Sequence, residues 1–380
     1  MAAASLRRLV DVGPGNAARS RAPRVAELVT LEHRDPDARI LAVVSGWPRP
    51  ENPSNYIAAK RQMDTLEERR VRYEALFIHG YRTPLAYALA VVKLLALNTR
   101  RPKYDIVHAH GGEAALAACF YRRAPVVISY WGSDVLGDPD RSNSELTPQQ
   151  RLRRWLIRQA SRAAARTITK SAEMERSLPL RQRGRNTVIP NGVDSRAFRP
   201  SSQLAARAAL GWKPHERIAL FVGDPARRGK RYSLAVQAVA EARSEIPDLR
   251  LEVAHGVAPD LIPVFMNAAD CLVHLSSQEG SPNVVKEALM CNLPVVATEA
   301  GDIAELLEGV EPSFLVAPTA APAAQALVEC LAAPRRSNGR ACSHRFASDR
   351  IAEQILAVYE SARPGWDGLR SGLAPLESAS

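Results

Sequence analysis

Short apolar runs alternate with amphipathic stretches along most of this chain. The runs at 40–44, 73–78, 105–109, 125–129 and 167–169 have the composition of buried parallel strands. Between them, 57–69, 84–98 and 151–166 repeat apolar residues at helical spacing. In 84–98 the predicted inward face is Leu85, Leu89, Val92 and Ala96. In 151–166 it is Leu152, Trp155, Leu156 and Ala163, with Arg154, Arg158, Arg162 and Arg166 on the other side. A second series follows. Strands are predicted at 218–222, 250–254, 271–275, 294–297 and 314–317, with helices at 204–210, 231–242, 263–269, 302–307 and 320–333. A last helix is predicted over 350–362. This alternation argues for an α/β chain of doubly wound parallel sheets. In such sheets ligands lie beyond the carboxyl ends of the strands. The expected division is a first domain over 39–200, a second over 204–345 and a terminal helical segment over 346–362. Residues 1–38 and the Gly-, Pro- and Ser-rich 363–380 are expected to be a disordered extension and a disordered tail.

The segment 270–298 concentrates the candidate chemistry. It reads as strand, turn, helix, strand. Gly280 breaks the strand, Ser281 suits an N-cap, and Pro282 suits the first helical position. Glu279 falls in the turn, and Glu287 lies on the helix one turn after Asn283. The first helical amides, those of Asn283, Val284 and Val285, would favour an anion such as a diphosphate. The two carboxylates are good acceptors for sugar hydroxyls. Glutamates of a solvated surface would give the same pattern.

Two glutamates separated by seven residues, with Gly-Ser-Pro-Asn between, resemble the signature of the family 4 glycosyltransferases. Residues 267–270 (Asn-Ala-Ala-Asp) and 293–296 (Leu-Pro-Val-Val) resemble the same family, as do 188–194 (Val-Ile-Pro-Asn-Gly-Val-Asp) with Phe198 and Pro200. The resemblance implies the GT-B fold, two Rossmann-like domains facing a cleft, and sugar transfer with retention from a nucleotide-diphosphate-sugar. By resemblance the donor sits mainly on the second domain. Glu287 would bind its ribose and Glu279 its sugar. Lys230 and the amides of Asn283 and Val284 would hold the diphosphate, with Gly280, Ser281 and Pro282 in the same pocket. Gly223, at the end of the strand 218–222, and Arg228, in the basic loop 224–230, would join the donor site, and His255 and Gly256 would approach the base. Asn55, Tyr56, His110, Trp131 and Asp134 would form the acceptor side. Three places depart from the family pattern: Asp224 stands where an arginine is usual, Trp131 where a histidine is usual, and the loop 52–56 lacks the usual glycine pair. Trp131 offers an aromatic face to a sugar instead. A binding or regulatory protein without transfer activity, and a sugar-nucleotide epimerase, stay open as alternatives. A pyridoxal phosphorylase and a Gly-x-Gly-x-x-Gly dehydrogenase lack their sequence signs.

Composition narrows the partners. The 380 residues carry a net charge of +11 with 46% hydrophobic and 24% charged residues, the make-up of a globular chain long enough for two domains. The charge suits anionic partners. A nucleotide-sugar donor and an unidentified glycan, lipid-linked or small-metabolite acceptor are expected, and nucleic acid is not. The arginines Arg154, Arg158 and Arg162 fit either an anionic membrane or a solvated face. The longest apolar run, 85–97, is interrupted by Lys93 and falls short of the ~20 residues of a membrane span. Five cysteines with no metal-ligand spacing suggest reduced cytoplasmic thiols, at the inner membrane face if the arginines do bind lipid. No metal or other cofactor is expected. The nearest Asp-x-Asp pair is Asp35 and Asp37, inside the N-terminal extension.

Overall fold

The computed structural model describes residues 28–32, 39–48, 55–80, 82–99, 104–137, 148–332 and 335–366. The loop ahead of Asn55 and the Asp35–Asp37 pair lie outside them.

Two sheets carry the architecture. The first has seven strands: β1 Val29–Glu32, β2 Ile40–Val44, β3 Tyr73–Ile78, β4 Ile106–His110, β5 Val126–Ser129, β6 Arg166–Thr169 and β7 Asn186–Val188. Their order is β1-β3-β2-β4-β5-β6-β7. The second has five: β8 Arg217–Val222, β9 Leu249–Ala254, β10 Cys271–His274, β11 Val295–Thr298 and β12 Phe314–Val316, in the order β12-β11-β10-β8-β9. All neighbours pair in parallel except β1, which runs antiparallel to β3. Central strands such as β2 and β10 are buried along their whole length. That is why they read as unbroken apolar runs rather than alternating ones.

The order within each sheet places a switch point. In the first sheet the chain steps from β2 outward to β3 and then back across to β4. In the second it steps from β8 to β9 and back to β10. The loops after β2 and β4, and after β8 and β10, therefore diverge and leave a crevice at the carboxyl ends.

Several expectations need correction. The first domain begins before residue 39. Val29–Glu32 closes the edge of the sheet, with Leu28 and Val29 buried in its core. At the other end, Trp366 is buried against Tyr359, ring centroids 5.4 Å apart. The helix Leu85–Asn98 buries Ala86, Ala90 and Leu94 and exposes Leu85 and Val92. Its faces are nearly equally apolar, so periodicity could not select one. The helix predicted over 151–166 is Pro148–Ala160. Arg162 lies in the turn beyond it, and Arg166 opens β6.

The last helix, Ser348–Ala362, packs on the first domain. Ile351, Ile355, Leu356 and Tyr359 join a core with Ile40, Met63 and Ile106. Arg69 pairs with Glu353 at 3.2 Å. The Tyr359 hydroxyl lies 2.6 Å from His108 Nδ1. The chain thus crosses between the lobes twice, at 189–203 and again before Ser348. Among the described residues no helix is long and apolar enough to cross a membrane.

Candidate active site

A cavity of about 490 Å³ lies between the two sheets at their carboxyl ends. Its second-lobe wall comprises Gly223, Arg227, Lys230 and the segment from Gln278 to Val284. Its first-lobe wall comprises Trp131, Gly132, Ser133 and Lys170. The lobes touch above it. A Cβ on Gly132 would stand 3.3 Å from the backbone nitrogen of Gly280, so a larger residue here would press the two loops apart by a few tenths of an ångström. Gln278 Nε2 also donates to Gly137 O at 3.3 Å.

Glu279 sits at the centre. Lys230 Nζ donates to its Oε1 at 2.7 Å. His274, the last residue of β10, places Nε2 3.1 Å from the same oxygen, at ion-pair distance but off the line of a hydrogen bond. Burial opposes ionisation of Glu279, yet the Lys230 ammonium and His274 outweigh it and hold the carboxyl well below its usual range. The site therefore keeps a carboxylate and an ammonium facing one cavity. Lys230 reaches it because Ser277 N donates to Gly229 O at 2.8 Å, tying the basic loop to the end of β10.

The helix after the turn begins at Asn283, with Pro282 as N-cap. Ser281 was expected to cap it. It instead donates to Asp302 Oδ2 at 2.6 Å and accepts from Lys286 Nζ at 2.9 Å. Lys286 is fully buried and also donates to Asn191 O at 2.9 Å. Ser281 is thus tied to Asp302, at the head of the Ile303–Leu307 helix, and through the Lys286 ammonium to the inter-lobe turn at Asn191. The amides of Asn283 and Val284 open into the cavity wall. Their potential favours an anion there.

Glu287 is one turn deeper. It does not line this cavity. Arg61, from the helix Ile57–Glu68 of the first lobe, donates to its Oε1 at 2.7 Å. The pair bridges the lobes and holds the second carboxylate in the described state.

The remaining expected residues divide. Trp131 lines the cavity with a buried, unpartnered Nε1. Tyr56 meets the Trp131 ring edge-on at 6.1 Å, and Asn55 Nδ2 donates to Trp47 O at 3.3 Å. Asp134 does not face the cavity. It accepts from the backbone nitrogens of Trp131 and Gly112, at 2.8 and 2.9 Å, and so shapes the loop. Burial pushes it up to about 6, against those two bonds. His110 belongs to β4 rather than following it. It is fully buried on His108, ring centroids 4.1 Å apart, and burial together with Lys170 pushes it down to about 3. In the basic loop Arg227, not the exposed Arg228, reaches the cavity. His255 and Gly256 are exposed and lie outside it, with His255 Nδ1 4.0 Å from Asp224 Oδ1.

Four contributors were not foreseen: Arg61, His274, Lys170 and Lys286. His274 and Lys170 stand at strand ends, where the ligand-site rule for such sheets looks. Arg61 and Lys286 carry no local signal.

The sequence model for Glycosyltransferase Family 4 matches residues 27–197, and that for Glycosyl transferases group 1 matches residues 216–333. The chain belongs to the family 4 glycosyltransferases. The D-inositol 3-phosphate glycosyltransferase of Nocardiopsis dassonvillei is 31% identical over 189 residues, 48% of this chain and 44% of that protein. Its counterpart from Segniliparus rotundus is 31% identical over 228 residues, 50% and 49% of the two chains. The putative teichuronic acid biosynthesis glycosyltransferase TuaC of Bacillus subtilis is 26% identical over 263 residues, 64% of each. The match thus spans about half the length of the first two relatives. Among solved structures, the sucrose-phosphate synthase of Thermosynechococcus elongatus has a TM-score of 0.69 at 19% identity, covering 85% of this chain and 98% of that one. Anabaena HepE in complex with UDP and glucose has a TM-score of 0.62 at 20% identity, covering 85% and 100%. Both likenesses bear on the fold, which is GT-B.

Proposed function

We propose that this family member transfers a sugar from a nucleoside-diphosphate sugar to an acceptor hydroxyl, with retention at the anomeric carbon. One observation carries the proposal: Glu279, Lys230 and the amides at the head of the Asn283–Met290 helix share one cavity between the lobes. The donor diphosphate lies on the helix amides and Lys230. Glu279 accepts from hydroxyls of the donor sugar near the reacting carbon. As the bond from that carbon to the diphosphate breaks, Lys230 and the amides meet the growing negative charge. Groups already held in place for that charge lower the barrier most. The acceptor hydroxyl attacks from the same face and passes its proton to the departing diphosphate oxygen. No metal is required in this scheme. Binding of UDP-glucose by Anabaena HepE supports a nucleotide-sugar donor.

Glu287 is proposed to bind the ribose hydroxyls in competition with Arg61. Replacing it by alanine is expected to weaken UDP-glucose binding about tenfold with kcat nearly unchanged, the magnitude of a hydrogen bond to a charged group. A nucleotide-sugar panel read by melting temperature, followed by kinetics on the stabilising donor, tests the reading. Stabilisation without turnover on any acceptor would favour the binding protein over the transferase. Release of a free epimer would favour the epimerase.

Peripheral contact with an anionic membrane is proposed through a different part of the Pro148–Ala160 helix than its arginine row. Arg154 and Arg158 turn inward to Val135 O, at 2.8 and 3.2 Å. Leu152, Trp155 and Leu156 are exposed beside Arg151, the composition of an interfacial helix. Trp155→Ser is expected to cut co-sedimentation with phosphatidylglycerol vesicles severalfold. Equal sedimentation of the two proteins would rule this contact out.

A further inference from the structure

One buried charge in the cavity has no partner. Lys170 follows β6 on the first-lobe wall and is 3% exposed. Among the described residues its ammonium makes no hydrogen bond and no ion pair. Its Nζ stands over the Trp131 ring, 5.3 Å from the centroid. The groups around it do not offset the charge. Lys286 is a second ammonium, already bonded to Asn191 O and Ser281 Oγ. His108 and His110 lie below, both disfavoured as cations by burial. Asp302 shares a neighbouring cavity with Lys170, but its Oδ2 accepts from Ser281 and it stands beyond ion-pair distance of Lys170. The side chain is buried while the ammonium opens onto the cavity, where little water and no acceptor among the described residues offset its charge, an unfavourable state. Burial first, then Lys286, pushes Lys170 down to about 7. Folds keep such groups where a ligand supplies the missing charge.

We propose that Lys170 recognises a second oxyanion, one that the substrates carry in addition to the donor diphosphate: a carboxylate on the transferred sugar or a phosphate on the acceptor. This rests on the donor reading given above. The diphosphate is assigned to Lys230 and the helix amides, all on the second lobe. Lys170 stands on the opposite wall with Trp131 and Gly132, and that wall meets the Glu279–Gly280 turn, where the sugar is assigned. An oxyanion there would bond the ammonium beside the indole face. Substrate choice would then be set by charge rather than by shape, because a neutral sugar leaves the ammonium buried and unbonded.

Isothermal titration distinguishes the sources. The first arm titrates UDP, GDP and ADP. With the base that binds, the second arm compares a neutral with an acidic donor, UDP-glucose with UDP-glucuronate or GDP-mannose with GDP-mannuronate. The third titrates protein saturated with the nucleoside diphosphate, using glucose 6-phosphate, inositol 1-phosphate and glucose. In one of the last two arms the anionic ligand is expected to bind at least tenfold more tightly than its neutral counterpart. Lys170→Met should abolish that preference and leave nucleoside diphosphate affinity within about twofold. The variant should also melt no lower than wild type, since it removes a buried charge. Loss of nucleoside diphosphate affinity in Lys170→Met would assign Lys170 to the donor instead and overturn the inference. So would diphosphate binding with no anion preference in either arm. No diphosphate binding at all would overturn the donor reading itself, and this inference with it.

Discussion

Replacing Glu279 by alanine is expected to lower kcat by roughly a hundredfold, the scale on which removal of one preorganised electrostatic group acts, while nucleoside diphosphate affinity holds or rises. The sign on affinity comes from the ion pair. Lys230 and Glu279 are bonded at 2.7 Å in the described state, so the carboxylate competes with a diphosphate for the ammonium. Removing it frees Lys230 for the nucleotide. The sugar meanwhile loses its acceptor at the reacting end, and the turn loses the group that orients His274. Steady-state kinetics together with a titration of the nucleoside diphosphate separate the two effects. Wild-type turnover in Glu279→Ala would remove this residue from the reaction. A parallel loss of affinity and rate would make it a structural residue of the turn.

Gly301→Ala is expected to damage both stability and turnover, although Gly301 lines no part of the cavity. It adopts φ +63 after β11. A Cβ there would stand 2.8 Å from Gly280 O and 2.9 Å from Glu279 O. Both atoms are backbone, so relief requires the Glu279–Gly280 turn to move. The left-handed conformation alone costs an L-residue about 1–2 kcal/mol, and the collision adds to it. A fall in melting temperature of roughly 5 °C should accompany a drop in kcat. Gly309→Ala is the control. Gly309 has φ +71 but nothing within 4 Å of a Cβ, so it carries the conformational strain without the collision. Its kcat should stay at the wild-type level. Indistinguishable kinetics in the two variants would show that Gly301 does not hold the turn.

The two variants mark how far the linear pattern reaches. Glu279 was legible because its neighbours were. The apolar run ahead of it, the Gly-Ser-Pro-Asn turn and the following stripe of Val285, Ala288 and Leu289 are local and mutually consistent. Even there the side-chain partners were not legible: Ser281 has the residue type of an N-cap but bonds Asp302 and Lys286. The helix Leu85–Asn98 shows a second limit. A segment apolar on every side has no phase to read, and the choice among faces passes to whatever it packs on.

Local chemistry along the chain determined two α/β lobes built on parallel sheets, the switch-point location of the cavity, and the turn that carries Glu279 into it. Burial of whole strands and the punctuation between them are encoded over a few consecutive residues, so the sequence by itself specified them. Only the tertiary structure decided that Glu287 is held by Arg61, that His110 and Asp134 face inward, and that Lys170 is left buried beside Trp131 without an acceptor. Arg61 meets Glu287 from 226 positions away across the cleft, and even the nearer partners, Asp134 with Gly112 and Lys170 with Trp131, meet only because neighbouring strands bring their ends together. Electrostatic partnership acts through distance in space, which spacing along the chain does not record.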